Sequence, residues 1–232
     1  MTNRTLPPKF LAELCSFSTC VVSSSIEKFD LRLRNIGFAD SRVRCMYPEL
    51  PPVAGFATTA RMRSTSPPME GGSYYDRTDW WEHILSVPGP RIAVIEDMDN
   101  PPGLGAFIGE VHASILRALG CVAVITNGAM RDLREVRATG IQAFAGNISV
   151  SHAYAHVFEF GGQVQVGHLR IKPGDLLHGD LHGILHVPTE VAEKIPEVAR
   201  TILTKRRRLV QLCRSEKFNR EALRAAIKEA EA

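Results

Sequence analysis

Gly109, Glu110, Val111, Asn127, Arg131 and Asp132 are the positions of this 232-residue chain whose types and spacing could do chemistry. An arginine presents a planar fork that binds an anionic oxygen. Aspartate and glutamate hold a hard cation directly or through its water shell. A helix starting at Gly109 would offer unpaired N–H groups and a positive dipole end, a seat for carboxylate or phosphate. These are parts for a small anionic substrate and a divalent metal. Each also has an ordinary use: Asp132 as an N-cap, Arg131 as a solvated surface residue, Glu110 as a first-turn dipole partner. On spacing alone the ordinary uses are favoured.

The elements that must position these residues read as β-α-β-α-β. Arg91 to Ile95 is a short β-branched run, and Glu96 to Gly103 is turn material. From Gly109 to Leu119 the apolar residues Val111, Ile115, Leu116 and Leu119 recur at helical spacing, and Gly120 closes the helix. Cys121 to Thr126 is a second buried strand, Asn127-Gly128 a turn, Asp132 to Ala138 a second helix and Ile141 to Ala145 a third strand. Such crossovers make the strands parallel. The Gly109 helix start and the Asn127 to Asp132 loop then share the carboxyl rim, where α/β sheets keep their ligand crevices.

The flanks are read more coarsely. Phe10 to Phe29 forms one or two short helices with Leu11, Leu14, Ile26 and Phe29 inward. Val53 to Met62 is a strand with a glycine break at Gly55, Ser64 to Tyr75 is a loop, and Trp80 and Trp81 begin a short helix that buries aromatic area. Short strands follow at Val164 to Val166, His168 to Ile171, Asp175 to His178 and Gly183 to Val187. Val191, Ile195, Val198 and Ile202 make a helical stripe that Pro196 bends or restarts. Asn219 caps a last helix with the stripe Leu223, Ala226, Ile227 and Ala230.

Composition narrows the function classes. Hydrophobic residues at 44% and charged residues at 23% exclude disordered and collagen-like chains. A net charge of +3 is no electrostatic footprint for nucleic acid. Apolar runs such as Cys121 to Ile125 are too short to span a bilayer, and Met1 to Lys9 lacks the apolar region of a secretory signal. Five scattered cysteines without a CxxC pair oppose zinc ribbons and disulfide scaffolds and fit a reducing cytoplasm. Gly103-x-Gly105-x-x-x-Gly109 is a poor dinucleotide loop, because it starts eight residues after Ile95 and no acidic residue ends the next strand. His178, His182 and His186, like His152 and His156, are spaced by four, but glycines and Pro188 argue for strands, where that spacing does not converge. Lys205 to Arg208 reads as the wet face of a helix. A GxSxG elbow, HExxH and a P-loop are absent.

Gly109-Glu110, then Gly120 to Gly128 (GCVAVITNG), then Arg131-Asp132 resemble the GE…GxxGxVxxGxxRD signature of the RraA-like family. That family includes regulator of ribonuclease activity A and the 4-hydroxy-4-methyl-2-oxoglutarate aldolases, which also decarboxylate oxaloacetate. Lys172 to Asp175 (KPGD) and Asp180 to Pro188 (DLHGILHVP) resemble its VxPGDxVxxDxxGVxxVP block, and Val53 to Ala57 (VAGFA) its VAGxA strand. The resemblance runs from about Leu11 to Pro188.

The resemblance implies an α/β swivelling β/β/α fold with a mixed sheet or barrel core, formed by residues 1–188, and a C-terminal helical extension over 189–232. It implies a homotrimer or hexamer with sites between subunits. In such a site Asp132 would ligate Mg2+, or Mn2+ or Co2+. Arg131 would bind the keto oxygen of a pyruvyl group, and backbone N–H groups from Gly109 through Glu110 and Val111 to His112 would hold the substrate carboxylate. Glu110 would order metal-bound water. The expected activity is a cytoplasmic, metal-dependent lyase of small 2-oxo diacids, working through a pyruvate enolate. The alternative is a ribonuclease-regulator-like module that binds a protein partner without significant turnover. Three features depart from the pattern: Asn127 replaces an acidic residue, the C-terminal helix carries Lys205 to Arg208 where the enzymes supply an acidic group, and the tail beyond Leu209 is long.

Overall fold

A computed structural model describes residues 6–68 and 77–231. The N-terminal region forms α1 (Pro8–Leu14), α2 (Thr19–Glu27), β1 (Arg44–Cys45), β2 (Val53–Arg63) and α3 (Thr78–Ser86). The central region forms β3 (Arg91–Asp97), β4 (Ala106–Ile108), α4 (Glu110–Ala118), β5 (Cys121–Thr126), β6 (Ala129–Met130), α5 (Leu133–Ala138), β7 (Gln142–Ala145) and β8 (Asn147–Ile148). The C-terminal region adds β9 (His156–Phe160), β10 (Val164–Val166), β11 (Leu169–Ile171), β12 (Leu176–Asp180), β13 (Gly183–His186), α6 (Ile195–Cys213) and α7 (Arg220–Glu231).

The main sheet has the order β1-β7-β5-β3-β2-β12-β13, with β9 also on β2. The expected parallel core is present: β2 with β3, β3 with β5 and β5 with β7 all pair parallel. The flanking pairs β2–β12, β12–β13 and β1–β7 are antiparallel. The segment from Phe38 to Cys45 nearly closes this sheet. Its Phe38 bridges Leu185 on β13, its Ala39 N donates to Ile184 O at 3.0 Å, and it ends in β1 on β7. The fold is therefore a mixed α/β structure with a barrel-like sheet, flanking helices and C-terminal helices.

Strand alternation sorts the core. Ile92 and Val94 of β3 point inward with Ala123, Ile125, Phe144, Val166 and Ile171. Ala93 and Ile95 face the other way, toward Trp80, Phe107, Leu116 and Val136 under α3, α4 and α5. Burying a side chain such as Ile92 or Ile95 stabilises the fold by roughly 1.5–3 kcal/mol. The third cluster joins α1, α2 and the start of α6 through Leu14, Val22, Leu185, Ala192, Ile195 and Ala199. The first half of α6 thus packs into the body of the fold.

Several expectations change. Gly55 does not break β2. A Cβ there would lie 2.7 Å from Pro90 O, so the glycine permits close backbone approach inside a continuous strand. Val111 does not join an inward stripe on α4. It is 48% exposed, and His112, Ala113 and Leu116 are buried instead, because the helix start stands at the open rim. Between the expected strands lies an unforeseen three-stranded parallel sheet, β4-β6-β8, too short to give a periodic signal. The strand β9 was also unforeseen. Pro196 starts α6 after a single 3-10 turn at Ala192–Lys194 and does not bend it. Only Val191 and Ile195 of the expected stripe are buried; Val198 and Ile202 are part-exposed beside α2. Asn219 caps α7 as expected, its Oδ1 accepting from Ala222 N at 2.8 Å, though Ile227 of that stripe is exposed. The loop expected over Ser64 to Tyr75 falls outside the described residues from position 69 onward.

Candidate functional site

The rim is assembled by the small β4-β6-β8 sheet. β4 leads through Gly109 into α4, and β6 leads through Arg131 and Asp132 into α5. Arg131 N donates to Ile108 O at 2.8 Å, which locks the two turns together. Asp132 sits in the left-handed region, φ 52° and ψ 47°. A non-glycine residue held there is uncommon, and such strain persists only where surrounding contacts enforce it. Here Val136 N donates to Asp132 O at 2.8 Å, and the Tyr47 hydroxyl donates to Leu133 O at 2.8 Å.

That backbone turns the Asp132 carboxylate away from its own helix. No side-chain cap bond is made to α5. Oδ2 instead accepts from Glu110 N at 3.2 Å, and Oδ1 accepts from Arg131 Nε at 3.0 Å. Asp132 therefore caps the start of α4 from across the rim, which corrects the simple N-cap expectation. Gly109 makes this fit: a Cβ there would lie 2.5 Å from Asp132 Oδ2. Partial burial works against the charge on Asp132. The Arg131 guanidinium, the Glu110 N–H and the nearby His152 outweigh it and hold the carboxyl below the usual range. Arg131 and Asp132 each keep about a third of their side-chain surface exposed.

The structure thus brings Gly109, Glu110, Val111, Arg131 and Asp132 to one place. It changes one detail. The Glu110 N–H already serves Asp132. The His112 side chain is buried against Phe107, ring centroids 4.3 Å apart, so His112 could meet a ligand only through its backbone N–H. The Val111 N–H, in the first turn, has no acceptor within its own helix. Asn127 stands one layer behind. Its Oδ1 accepts from Asp97 N at 2.7 Å and its Nδ2 donates to Asp97 O at 2.9 Å. An amide can do both and a carboxylate only one, so Asn127 clamps the ends of β3 and β5.

Sequence reasoning missed four supporting residues. Asp97 is buried and raised by that burial, and accepts from Gly103 N at 2.7 Å and Asp99 N at 3.0 Å. Burial also opposes the charge on Asp99, but bonds from Ser64 and Thr65 outweigh it. Both aspartates order the loop that leads into β4. Aspartates just ahead of a Pro-Pro-Gly turn were the available signal. Tyr47 and His152 gave none, being distant in sequence. His152 Nδ1 lies 2.9 Å from Ala106 O; a carbonyl only accepts, so this nitrogen carries the proton. The remaining histidines do not converge on the rim. His178 is buried between Thr19 and Leu14 O, His182 bonds Asp180, and His186 meets Arg32. Arg206 and Arg208 lie on the exposed side of α6, Arg208 paired with Glu229 of α7. Among the described residues no three His, Cys, Asp or Glu side chains form a metal cage, and the five cysteines are all free. No helix of the described residues is long and apolar enough to cross a membrane.

Known proteins resemble this chain at low identity. A protein from Halalkalibacterium halodurans named "Putative 4-hydroxy-4-methyl-2-oxoglutarate aldolase" is 25% identical over 96 residues, 41% of this chain and 46% of that protein. The match thus spans about half of the relative's length. A crystal structure of an uncharacterized protein from Pseudomonas syringae pv. tomato superposes with TM-score 0.73 at 18% identity, over 97% of each chain. Streptomyces coelicolor RraAS2, described as an unusual member of the RNase ES inhibitor RraA protein family, gives 0.65 at 19% identity, over 84% of this chain and 93% of that one. These structures share the fold. The RraA-like, aldolase/RraA pattern matches residues 19–186, which contain both turns of the rim and the β12–β13 hairpin. This chain belongs to the RraA-like family.

Proposed function

We propose that this chain is a divalent-metal-dependent lyase that cleaves or decarboxylates small 2-oxo diacids. The observation that carries the reading is Asp132: an aspartate forced into a left-handed turn, held ionised, and presented beside Arg131 and the open start of α4. Such strain at a rim, enforced by several bonds, is what pre-organised sites show.

The donor set fits Mg2+ in its usual mode, through one carboxylate with waters and substrate oxygens completing the shell. Each Asp132 oxygen uses one lone pair on a neighbour and retains another. When bound, the cation would supply electrophilic stabilisation of charge developing on the substrate's keto oxygen. Arg131 spends its Nε on Asp132 and would offer its remaining N–H groups to that same oxygen. The α4 start, through the Val111 N–H and the helix dipole, orients one substrate carboxylate. In oxaloacetate the C3–C4 bond breaks, carbon dioxide leaves, and the electron pair enters a pyruvate enolate whose oxygen faces Arg131. Protonation at C3 gives pyruvate. Glu110, exposed at the rim, orders water beside Asp132.

The aldolase-named relative and the family match support this reading. Exposed apolar residues around the rim favour coverage by a further copy in a cytoplasmic trimer or hexamer: Leu104, Val111, Ile148, Tyr154 and, at 92% exposure, Val150. The same residues also favour the second reading, a ribonuclease-regulator-like module that docks a protein partner. The test is pyruvate release from oxaloacetate and from a branched 4-hydroxy-2-oxo diacid, with and without Mg2+, Mn2+ or Co2+. Metal-dependent release inhibited by oxalate, which resembles the planar enolate, supports the lyase. No release with any metal gives way to the partner-binding reading. Light scattering should find a trimer or a multiple of it, and a monomer at micromolar concentration would oppose a site between subunits.

A further inference from the structure

A second candidate site lies at the far end of the sheet. The rim stands beyond Asp97, the last residue of β3. Phe56, paired with Arg91 at the other end of β3, faces an open cavity of about 1340 Å3. One wall is the β10–β11 hairpin with the turn that follows it. The other is the loop after α2 together with the chain leaving β13.

The anchor of this cavity is Arg32. Its guanidinium lies flat on Gly37, where a Cβ would meet Cζ at 2.1 Å and where φ is +90°. Nη2 donates to His186 O at 2.9 Å, and Nη1 lies 3.2 Å from His186 Nδ1. Arginine only donates, so Nδ1 accepts and the neutral His186 ring keeps its proton on Nε2, which faces Asp175 at 3.9 Å. Neutral acceptors thus fix the guanidinium. Among the described residues no carboxylate lies within ion-pair distance of it, although burial disfavours its charge and only the more distant Glu190 favours it. A half-buried cation of this kind calls for an anion.

Two more cations line the same cavity. Arg170 sits opposite Gln165 in the hairpin, both exposed on its outer face, and Lys172 follows directly. Neither side chain forms an ion pair among the described residues. The acidic groups nearby are Glu190 and Asp175, and Asp175 Oδ2 accepts from Lys172 N at 2.8 Å. His168 is taken by Asp40 at 3.1 Å. Exposed Leu31 and Ile36 supply an apolar side to the same cavity.

We propose that this cavity binds the phosphate group of a small soluble molecule with an apolar body, independently of the rim site. A carboxylate would satisfy one arginine fork. Three cations lining one cavity match the double charge and the several oxygens of a phosphate monoester. Leu31 and Ile36 would cover the organic part.

Calorimetry on the full chain, with inorganic phosphate and phenyl phosphate as probes, tests this. Both should bind saturably, one per chain, with phenyl phosphate tighter. The double variant Arg170→Gln/Lys172→Gln changes only exposed side chains and should melt as wild type, yet bind roughly tenfold more weakly for each cation removed. Arg32→Lys keeps the charge and loses the fork, and should also weaken binding. Arg131→Gln, at the rim, should bind as wild type. No saturable binding of either probe, or equal binding by the double variant, overturns the site. Loss of binding in Arg131→Gln moves the phosphate to the rim and overturns it as well. Phenyl phosphate no tighter than phosphate refutes the apolar body.

Discussion

Asp132 and Asp180 are both aspartates with hydrogen bonds that outweigh partial burial and hold them below the usual carboxyl range, and they do opposite work. Asp180 ends β12 with 4% of its side chain exposed. It accepts from Thr19 N at 3.0 Å, from His182 N at 2.9 Å and from His182 Nδ1 at 3.1 Å. Its neighbour His178 joins Thr19 Oγ1 and Leu14 O. This polar cluster fastens α1 and α2 to the sheet, and its core, Asp180 and His178, is closed to solvent. Asp132 makes one bond per oxygen and stays a third exposed. A saturated buried carboxylate stabilises a fold, whereas a fixed but incompletely bonded one can take a ligand.

Exchanging the two residues for alanine should separate these roles. Asp132→Ala should remove the metal response and lower pyruvate release by about two to three powers of ten, the usual loss when a transition-state electrostatic group is deleted. Its melting point should stay near wild type. Asp180→Ala should keep the metal response but lose about 1–3 kcal/mol, because Thr19 N and the His182 groups lose their acceptor. Activity with a Mg2+ titration, beside thermal melts of both variants, reads the contrast. An Asp132→Ala protein that responds to Mg2+ as wild type does would reduce Asp132 to a cap. Arg131→Lys should cut turnover far more than metal affinity, since charge remains and the fork is lost.

The closed cluster should also reveal itself through pH. Burial pulls the His178 pKa from 6.5 down to about 4, partly offset by the Asp180 charge and the Leu14 carbonyl. The folded protein therefore resists a proton that the unfolded chain accepts. Stability is full above about 6.5 and falls as pH drops from there toward 4, by up to roughly 3 kcal/mol for this residue. His83 and His186, also lowered, act in the same window. Asp132 and Asp180 do not, because the contribution of a lowered carboxyl is lost only below the ordinary value, and Asp97, raised by burial, works with the opposite sign. Urea midpoints at pH 7 and pH 4.5, with the His178 ring titrated by NMR, check the sign. A ring that titrates near 6.5 in the folded protein would refute the assignment.

Gly109→Ala probes the rim without removing any charged group. The new Cβ would stand 2.5 Å from Asp132 Oδ2, so the carboxylate must leave the α4 start. Metal affinity and turnover should fall about tenfold or more, as expected when one charge-assisted hydrogen bond is lost. The backbone at Gly109 is extended, φ −135° and ψ −167°, so alanine itself is not strained and the melt should change little. Unchanged activity would show that the missing Cβ is unrelated to ligand binding.

The rim was legible and the closed cluster was not, for a physical reason. Crossover rules place Gly109 and Arg131-Asp132 on one edge once the β-α-β-α-β order is read, because parallel pairing leaves no other arrangement. Spacing did not reveal that Asp132 would cap the neighbouring helix, since this depends on a single positive φ. His178, His182 and His186 gave a regular spacing with no common face. The partners of His178 and His186, namely Thr19, Leu14 and Arg32, lie more than 150 residues away, and only the packing of α1, α2 and the loop after α2 against the sheet brings them together. The β4-β6-β8 sheet escaped notice because strands of two or three residues carry no periodicity.

The smallest effect should come from Tyr47→Phe, which tests how the strained turn is held. Tyr47 is buried, its hydroxyl pushed up to about 12 chiefly by that burial, and it donates to Leu133 O, one residue after Asp132. Phenylalanine keeps the ring packing and deletes one neutral hydrogen bond, which costs about 1 kcal/mol. For a chain of this size that lowers the melting point by about 2–4 °C. Because Arg131 N–Ile108 O and Val136 N–Asp132 O also hold the turn, the left-handed conformation should survive. Turnover at saturating metal should then stay within about threefold of wild type, under 1 kcal/mol, with the change concentrated in the metal concentration needed. A loss as large as that of Asp132→Ala would mean that Tyr47 alone enforces the turn, and the rim would then be as tightly tied to distant packing as the Asp180 cluster.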